Sequence, residues 1–276
     1  MLMKRYLVAL LALSVLLCAC AAPEQEREPA LQTETCVETT APTESVPEIT
    51  EAPETVPATT EPAQPLHSDL YHPGYTLEQI QDYFAEVILD VEYSDGTGDS
   101  SLVQKWIEPI RYRYFGTPTE EDLSVLEAFF TQLNELEGFP GLYPAEGEDV
   151  ETLRISFLEP DVFRDSFSSA VNGEDAYGAT QFWYYTDTND IYTARIGYRT
   201  DLSQRMRNSI LLEEIVNTLG VSDTLLREAS ITYQYTNENL VLSDVDWILL
   251  KLLYHPDMQC GMDRVRCDQV IARLYY

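Results

Sequence analysis

The sequence predicts an α+β domain, a mixed and twisted sheet of about four to five strands with two to three long helices packed on it. Three features of residues 67–276 carry this expectation. Apolar residues recur at helical spacing in several long segments, while β-branched and aromatic residues fill shorter runs between them. The order reads helix, strand, helix, strand, hairpin, helix, loop, helix, with no internal repeat. Elements of both kinds, interleaved, bury their apolar faces by stacking helices on a sheet.

The first helix starts at the Thr76 cap and carries Leu77, Ile80, Tyr83, Phe84, Val87 and Ile88 on one face. A loop, SDGTGDSS, separates it from the run WIEPIRYRYFG, which reads as one strand ending at Gly116. Thr119 opens a long helix with acidic residues in its first turn, where they suit the helix dipole, and Gly138 lies past its end. TLRISFLE is a short strand, and PDVFRDSFSSA a helical turn. ATQFWYYT and IYTARIGYRT flank Asp187-Thr188-Asn189-Asp190, a hairpin signal. A helix from about Ser203 to Leu219 follows, and Ser243, with Asp246 three residues on, caps a last helix through Tyr254.

Ahead of the domain lie two segments of different character. Residues 1–19 pair Lys4 and Arg5 with an apolar run from Tyr6 to Leu17, the pattern of a secretory signal and too short for a membrane span. Residues 20–66 hold ten Glu, nine Thr and eight Pro against one basic residue, Arg27. Such a composition cannot bury enough apolar surface to offset chain entropy and predicts a disordered, extended stalk. Of the formal charge of −30, the signal contributes +2 and the stalk −9, leaving −23 on residues 67–276. That field repels nucleic acid and anionic polymers and attracts cations, as well as keeping the domain soluble. No basic patch for nucleic acid is present. Cys260 and Cys267 could close a small disulfide in an oxidising exterior; no metal-knuckle C-x-x-C pair occurs.

Leu17-Cys18-Ala19-Cys20 resembles the lipobox of bacterial lipoproteins. The resemblance implies cleavage before Cys20, lipidation of that thiol and anchorage on the outer side of a bacterial cell membrane. The alternative is plain secretion with cleavage after an alanine.

The segment ILLEEIVNTLGVSD offers the candidate site. Glu213, Glu214, Asn217, Gly220 and Asp223 stand at the spacing H-E-x-x-H-x-x-G-x-x-H/D of the metzincin zinc helix. Residues four apart project side by side, and a glycine turn brings a third ligand over the same face. Downstream, Ser230-Ile231-Thr232-Tyr233 is similar to the turn beneath the metzincin metal, and Leu242-Ser243-Asp244-Val245-Asp246 with Leu253-Tyr254 to the helix after it. The whole run resembles a family of bacterial secreted domains of unknown function, which in turn resembles degenerate metzincins. The resemblance implies a metzincin-like fold, Glu214 in the place of the catalytic base, and Glu213, Asn217 and Asp223 in the places of the metal ligands. Both helix histidines are absent, however, and Thr232 stands where the turn methionine would be. An all-oxygen set suits Ca²⁺, Mg²⁺ or Mn²⁺ rather than Zn²⁺.

The bland alternative is an amphipathic helix, with Leu211, Leu212, Ile215, Val216 and Leu219 packed on a sheet and Arg207, Glu213, Glu214, Asn217 and Thr218 wet. The aromatic hairpin could stack on wall sugars, but Tyr and Trp are also ordinary strand residues. Tyr233 could stabilise an oxyanion or simply line a turn. His67, His72 and His255 stand away from the motif, and His255 before Pro256 reads as a helix stop. The expectation is therefore a non-catalytic module binding a peptide or an envelope ligand, with no cofactor. The alternatives are an atypical hydrolase with an oxygen-ligated divalent metal, and a structural lipoprotein with no ligand.

Overall fold

The structure is a computed structural model that describes residues 68–89, 102–168, 176–236 and 238–276. The expected signal, the stalk, Cys20, His67 and the SDGTGDSS loop lie outside the described residues.

Helix α1 (Leu77–Phe84) begins at Thr76 with a reciprocal cap, Thr76 Oγ1 accepting from Gln79 N and Gln79 Oε1 from Thr76 N. It passes into a π-helical turn, Ala85–Leu89, whose Val87, Ile88 and Leu89 are all buried. The run expected as one strand is two. Strand β1 (Lys105–Trp106) and strand β2 (Ile110–Gly116) are separated at Pro109, which has no N–H for a ladder. Helix α2 (Glu120–Asn134) follows its Thr119 cap. Strand β3 (Leu142–Pro144) was not expected; the Asn134 side chain fixes it by bonding both N–H and C=O of Leu142. Strand β4 (Leu153–Leu158), helix α3 (Pro160–Phe167, Pro at its first turn) and the hairpin of β5 (Gly178–Tyr184) and β6 (Asp190–Arg199) come next. Helices α4 (Gln204–Thr218), α5 (Asp244–Tyr254) and α6 (Arg264–Leu274) complete the domain. Helix α6, with Asp263 as its cap, is a second element beyond those expected from the sequence.

All six strands join one sheet, in which β1, β6, β4, β2 and β3 follow one another and β5 pairs with β6. Every pairing is parallel except β5 with β6. The described residues thus form an α+β fold with a mostly parallel six-stranded sheet and six α-helices. Along β6, Ala194, Ile196 and Tyr198 are buried in the main core, while Gly197 meets Phe167 of α3 on the opposite face. Helix α4 packs against β5, β6 and α2. Helix α5 is apolar nearly all round and buried. Its C-terminal end is held by the buried Lys105, whose Nζ donates to the carbonyls of Leu253 (2.8 Å) and Met258. The beginning and end of the domain meet where Tyr275 Oη donates to the carbonyls of His72 and Tyr75.

Candidate functional site

Helix α4 carries the polar face singled out in the sequence, and the structure corrects one expectation about it. The face is not wet: Glu213 and Glu214 are only 8 % and 7 % exposed, and Arg207, Ser209 and Thr218 are buried too. Strand β5 and helix α2 close over the side that a helical wheel assigns to water. Each polar group must therefore find a partner. Arg207 finds Asp122, a fully buried carboxylate at the start of α2 that also accepts from Thr119 N (2.8 Å) and Gln204 Nε2 (2.7 Å).

Glu214 turns toward the hairpin. Thr180 Oγ1 lies 2.7 Å from its Oε2 and 3.0 Å from its carbonyl oxygen. The fit is close because Gly178, two residues earlier on the same face of β5, has no side chain. A Cβ there would sit 2.5 Å from Glu214 Oε1 and 2.6 Å from Ile210 Cγ2. Tyr198 of β6 also reaches α4, its hydroxyl donating to the Leu211 carbonyl at 3.0 Å. Burial, followed by the neighbouring Glu214, holds that phenol well above its ordinary value.

Beyond the helix the chain turns at Gly220, whose φ of 93° is strained for any residue with a Cβ. Ser222 N then donates to Val87 O in the π turn, and Asp223 comes back to α4, where Asn217 Nδ2 donates to its Oδ1 at 3.1 Å. Asn217 and Asp223 are thus brought together, and Glu213 lies one helical turn before Asn217 on the same side. Thr224 forms a parallel bridge with Tyr233, placing the 230–234 turn against the segment that carries Asp223. Asp246 holds this turn, its Oδ1 accepting from Ser230 Oγ (2.6 Å) and its Oδ2 from Ile231 N (3.1 Å) and Ser243 N (2.9 Å). Ser230 and Thr232 are buried, whereas Tyr233 is half-buried and packs edge-on against Tyr235.

Two partners were not anticipated. Glu86, in the π turn, accepts from Thr224 Oγ1 (2.6 Å) and Leu225 N (3.1 Å). The buried Arg227 lies near it and over the Tyr83 ring. Burial draws the Arg227 guanidinium below its ordinary value, against the pull of Asp246 and Glu86. Nothing local in the sequence marks Glu86, which reads as one more polar residue on an amphipathic helix. Thr180 was open to inference, since strand alternation puts it on the same face as Gly178 and Phe182.

Asn217 Oδ1, Glu86 Oε2 and Arg227 Nη1 are buried around this junction with no hydrogen-bond partner among the described residues. No three His, Cys, Asp or Glu side chains are grouped to hold a metal among the described residues. The three-oxygen arrangement considered for a metal therefore consists of two carboxylates and an amide, of which Asn217 and Asp223 already bond each other. His72 pairs with Asp244 and His255 with Asp257, away from Asn217. Cys260 and Cys267 are free thiols rather than a disulfide, the first beside the Lys105 carbonyl and the second buried on α6.

A family model described as "Protein of unknown function (DUF2927)" matches residues 77–273, from α1 into α6. The chain belongs to the DUF2927 family. The matched stretch contains every residue of the junction just described, so the site is part of the DUF2927 domain and not an appendage to it. No curated protein matches the chain. Among the described residues no helix is long and apolar enough to cross a membrane.

Proposed function

We propose that this DUF2927 protein is a lipoprotein on the outer side of a bacterial membrane, and that its domain binds an extended peptide without hydrolysing it. The single observation that carries the binding reading is the free edge of β5 running beside the polar face of α4. No described strand pairs with that edge. Arg199 N donates to Tyr177 O across the hairpin, so in the antiparallel ladder Tyr177, Ala179 and Gln181 turn their backbone groups to β6. Gly178, Thr180 and Phe182 then turn theirs outward. An open edge is a template for an added strand, with main-chain bonds giving affinity and alternate side chains giving selectivity. The hairpin leading straight into α4, and the turn tied to α5 beneath it, support the finer likeness to metzincins. Against hydrolysis stand the absent histidines and the engagement of Glu214 with Thr180.

The test uses the purified chain and a fluorescein-labelled octapeptide of alternating threonine and valine. Strand addition predicts saturable anisotropy, slowed hydrogen exchange at the Thr180 and Phe182 amides, and loss of both when alternate peptide nitrogens are methylated. Equal binding of the methylated peptide would rule strand addition out. For the anchor, replacing Cys20 by serine is expected to release the protein from the membrane fraction; retention would refute lipidation there.

A second reading draws on the meeting of Asn217 and Asp223. It is a hydrolase with a divalent metal on Glu213, Asn217 and Asp223 and with Glu214 as general base. Stoichiometric metal in the native protein, together with peptide cleavage lost in Glu214→Gln, would establish it in place of the first.

A further inference from the structure

We propose that the sheet face turned away from α4 binds an acidic polysaccharide, with uronate carboxylates on Arg111 and Arg154 and a sugar ring on Trp183. The proposal is independent of strand addition at β5, which uses the edge of the sheet rather than its face. Strand alternation sends Leu153, Ile155, Ala194 and Ile196 into the main core and their neighbours to the other side. Register then sets Arg113, Arg154, Arg195 and Gln181 in one row across β2, β4, β6 and β5 on that side. Arg111, opposite Tyr143 of β3, and Trp183, opposite Thr193, continue the same face two residues along their strands. Helix α3 covers the far end, where Phe163 and Phe167 pack with Ala179, and Phe167 against Gly197. Toward Arg111 and Trp183 the face is open: Arg111, Arg154, Tyr143 and Trp183 are all exposed. A parallel sheet ordinarily has both faces covered.

The open part sets guanidinium groups beside rings. Arg154 Cζ lies 3.5 Å over the Phe115 ring, Arg111 Cζ 5.4 Å from that of Tyr143, and Arg195 Cζ 5.8 Å from that of Trp183. A guanidinium held over a ring keeps its planar fork of N–H donors, which matches a carboxylate. The chain's own Glu151 shows the match, 3.6 Å from Arg154 and 3.7 Å from Arg113, an ion pair too long for hydrogen bonds. Arg113 is further engaged by the carbonyls of Gly147 and Asp149, and Arg195 by Gln181 Oε1 and the Ser166 carbonyl. That leaves the exposed Arg111 and Arg154 as the main donors.

Four arginines sharing this face with Glu151 make it basic within an acidic domain. The loop that holds Arg113 also carries Glu146, Glu148 and Asp149, however, so charge alone is a weak attractant here. At 0.15 M salt the wider field is screened beyond about 8 Å, and contact decides. Exposed rings supply it: Trp183 on this face, and Tyr185 stacked on Tyr192 at 4.5 Å farther along the hairpin. The apolar side of a sugar packs on such rings, whereas an acidic peptide or a polyphosphate brings the charge without the sugar. Arginines and rings together fit a sugar polymer that bears carboxylates.

The experiment titrates the full chain by anisotropy at 0.15 M salt with three labelled probes: a tetragalacturonate, the same tetramer with its carboxyls reduced, and tetraglutamate. The tetragalacturonate is expected to bind saturably, and the other two roughly tenfold more weakly, since each lacks one of the two kinds of contact. Arg154→Gln and Trp183→Ala change exposed side chains. Each should weaken tetragalacturonate binding roughly tenfold with Tm near that of the wild type, whereas Arg273→Gln on α6 should leave binding unchanged. Equal binding of the reduced tetramer would make the face a neutral sugar platform, and equal binding of tetraglutamate an acidic-peptide surface; either overturns the proposal. So does a tetragalacturonate that fails to bind, or one whose binding survives both variants. Strand addition stands or falls separately, with the methylated peptide.

Discussion

Replacing Asp246 tests whether the turn under α4 is held as the structure shows. Its carboxylate accepts from Ser230 Oγ, Ile231 N and Ser243 N, and it is 6 % exposed. Alanine removes the acceptor for all three donors, two of them on residues that are themselves buried. A buried donor left without a partner costs about 1–3 kcal/mol. The Ser243 donor is half-buried and adds less, so the total is about 3–5 kcal/mol. Asparagine keeps an acceptor for the two N–H groups. Its amide can donate to Ser230 Oγ, whose proton can swing to Thr232 Oγ1 at 3.2 Å. Only the charge assistance is lost, roughly 1 kcal/mol. In a domain of this size 1 kcal/mol moves Tm by about 2–4 °C, so alanine should lower Tm by about 10 °C and asparagine by about 3 °C. Calorimetry reads both shifts, and hydrogen exchange should show the Ile231 amide opening in alanine alone. Equal shifts for the two variants, or an alanine shift below about 3 °C, would refute the arrangement.

Gly220→Ala places a Cβ 2.1 Å from the Gln104 carbonyl oxygen at a φ of 93° and should prevent accumulation of folded protein; a soluble variant with unchanged Tm would contradict the turn. Thr180→Val keeps the shape of the side chain but withdraws its donor from Glu214, and should cost about 1–3 kcal/mol by urea unfolding, whereas Thr180→Ser should cost less than half of that. Burial pushes the Cys260 thiol up to about 11 and that of Cys267 up to about 12, so at pH 7.5 neither should react with iodoacetamide until the chain is unfolded; peptide mass spectrometry that finds them joined as a disulfide would sink this. The Tyr198 and Tyr254 phenols are raised by burial, so the folded state holds protons that the unfolded chain releases near pH 10. Their contribution to stability is complete below that pH and is lost as pH rises through the folded values, so absorbance at 295 nm should show their ionisation together with unfolding; ionisation near pH 10 in a still-folded protein would be the contrary result.

Caps and turns were the most legible parts of the fold, because their physics is local. Thr76, Thr119, Ser203 and Ser243 each accept from the third residue beyond, as their positions before apolar-periodic segments imply. The β5–β6 hairpin formed where the Asp-Thr-Asn-Asp signal stood, with Asn189 taking positive φ. The expected strand through Pro109 failed for an equally local reason that its aromatic alternation masked. Helix α6 shows a different limit. Its Asp263 cap and its buried Cys267, Val270 and Ile271 follow the rules used elsewhere, but arginines at 264, 266 and 273 dilute the apolar signal. Three residues at Leu142–Pro144 carry no periodicity at all; they become a strand by pairing in parallel with β2, helped by the Asn134 side chain eight positions upstream.

The polar face of α4 is where local reasoning had to stop, and the reason bears on function. A wheel gives the angular position of Glu213, Glu214 and Asn217 but not what stands opposite them. The same angles describe a wet face and a covered one. The covering elements come from far away in sequence, since Thr180 is 34 positions from Glu214 and Asp122 is 85 from Arg207. Taking two carboxylates out of water is costly unless each acceptor is answered, and a merely structural helix would gain stability from apolar residues at those positions. Asn217 joined to Asp223 thus belongs to a polar junction assembled from distant segments, beside a strand edge with which no described strand pairs.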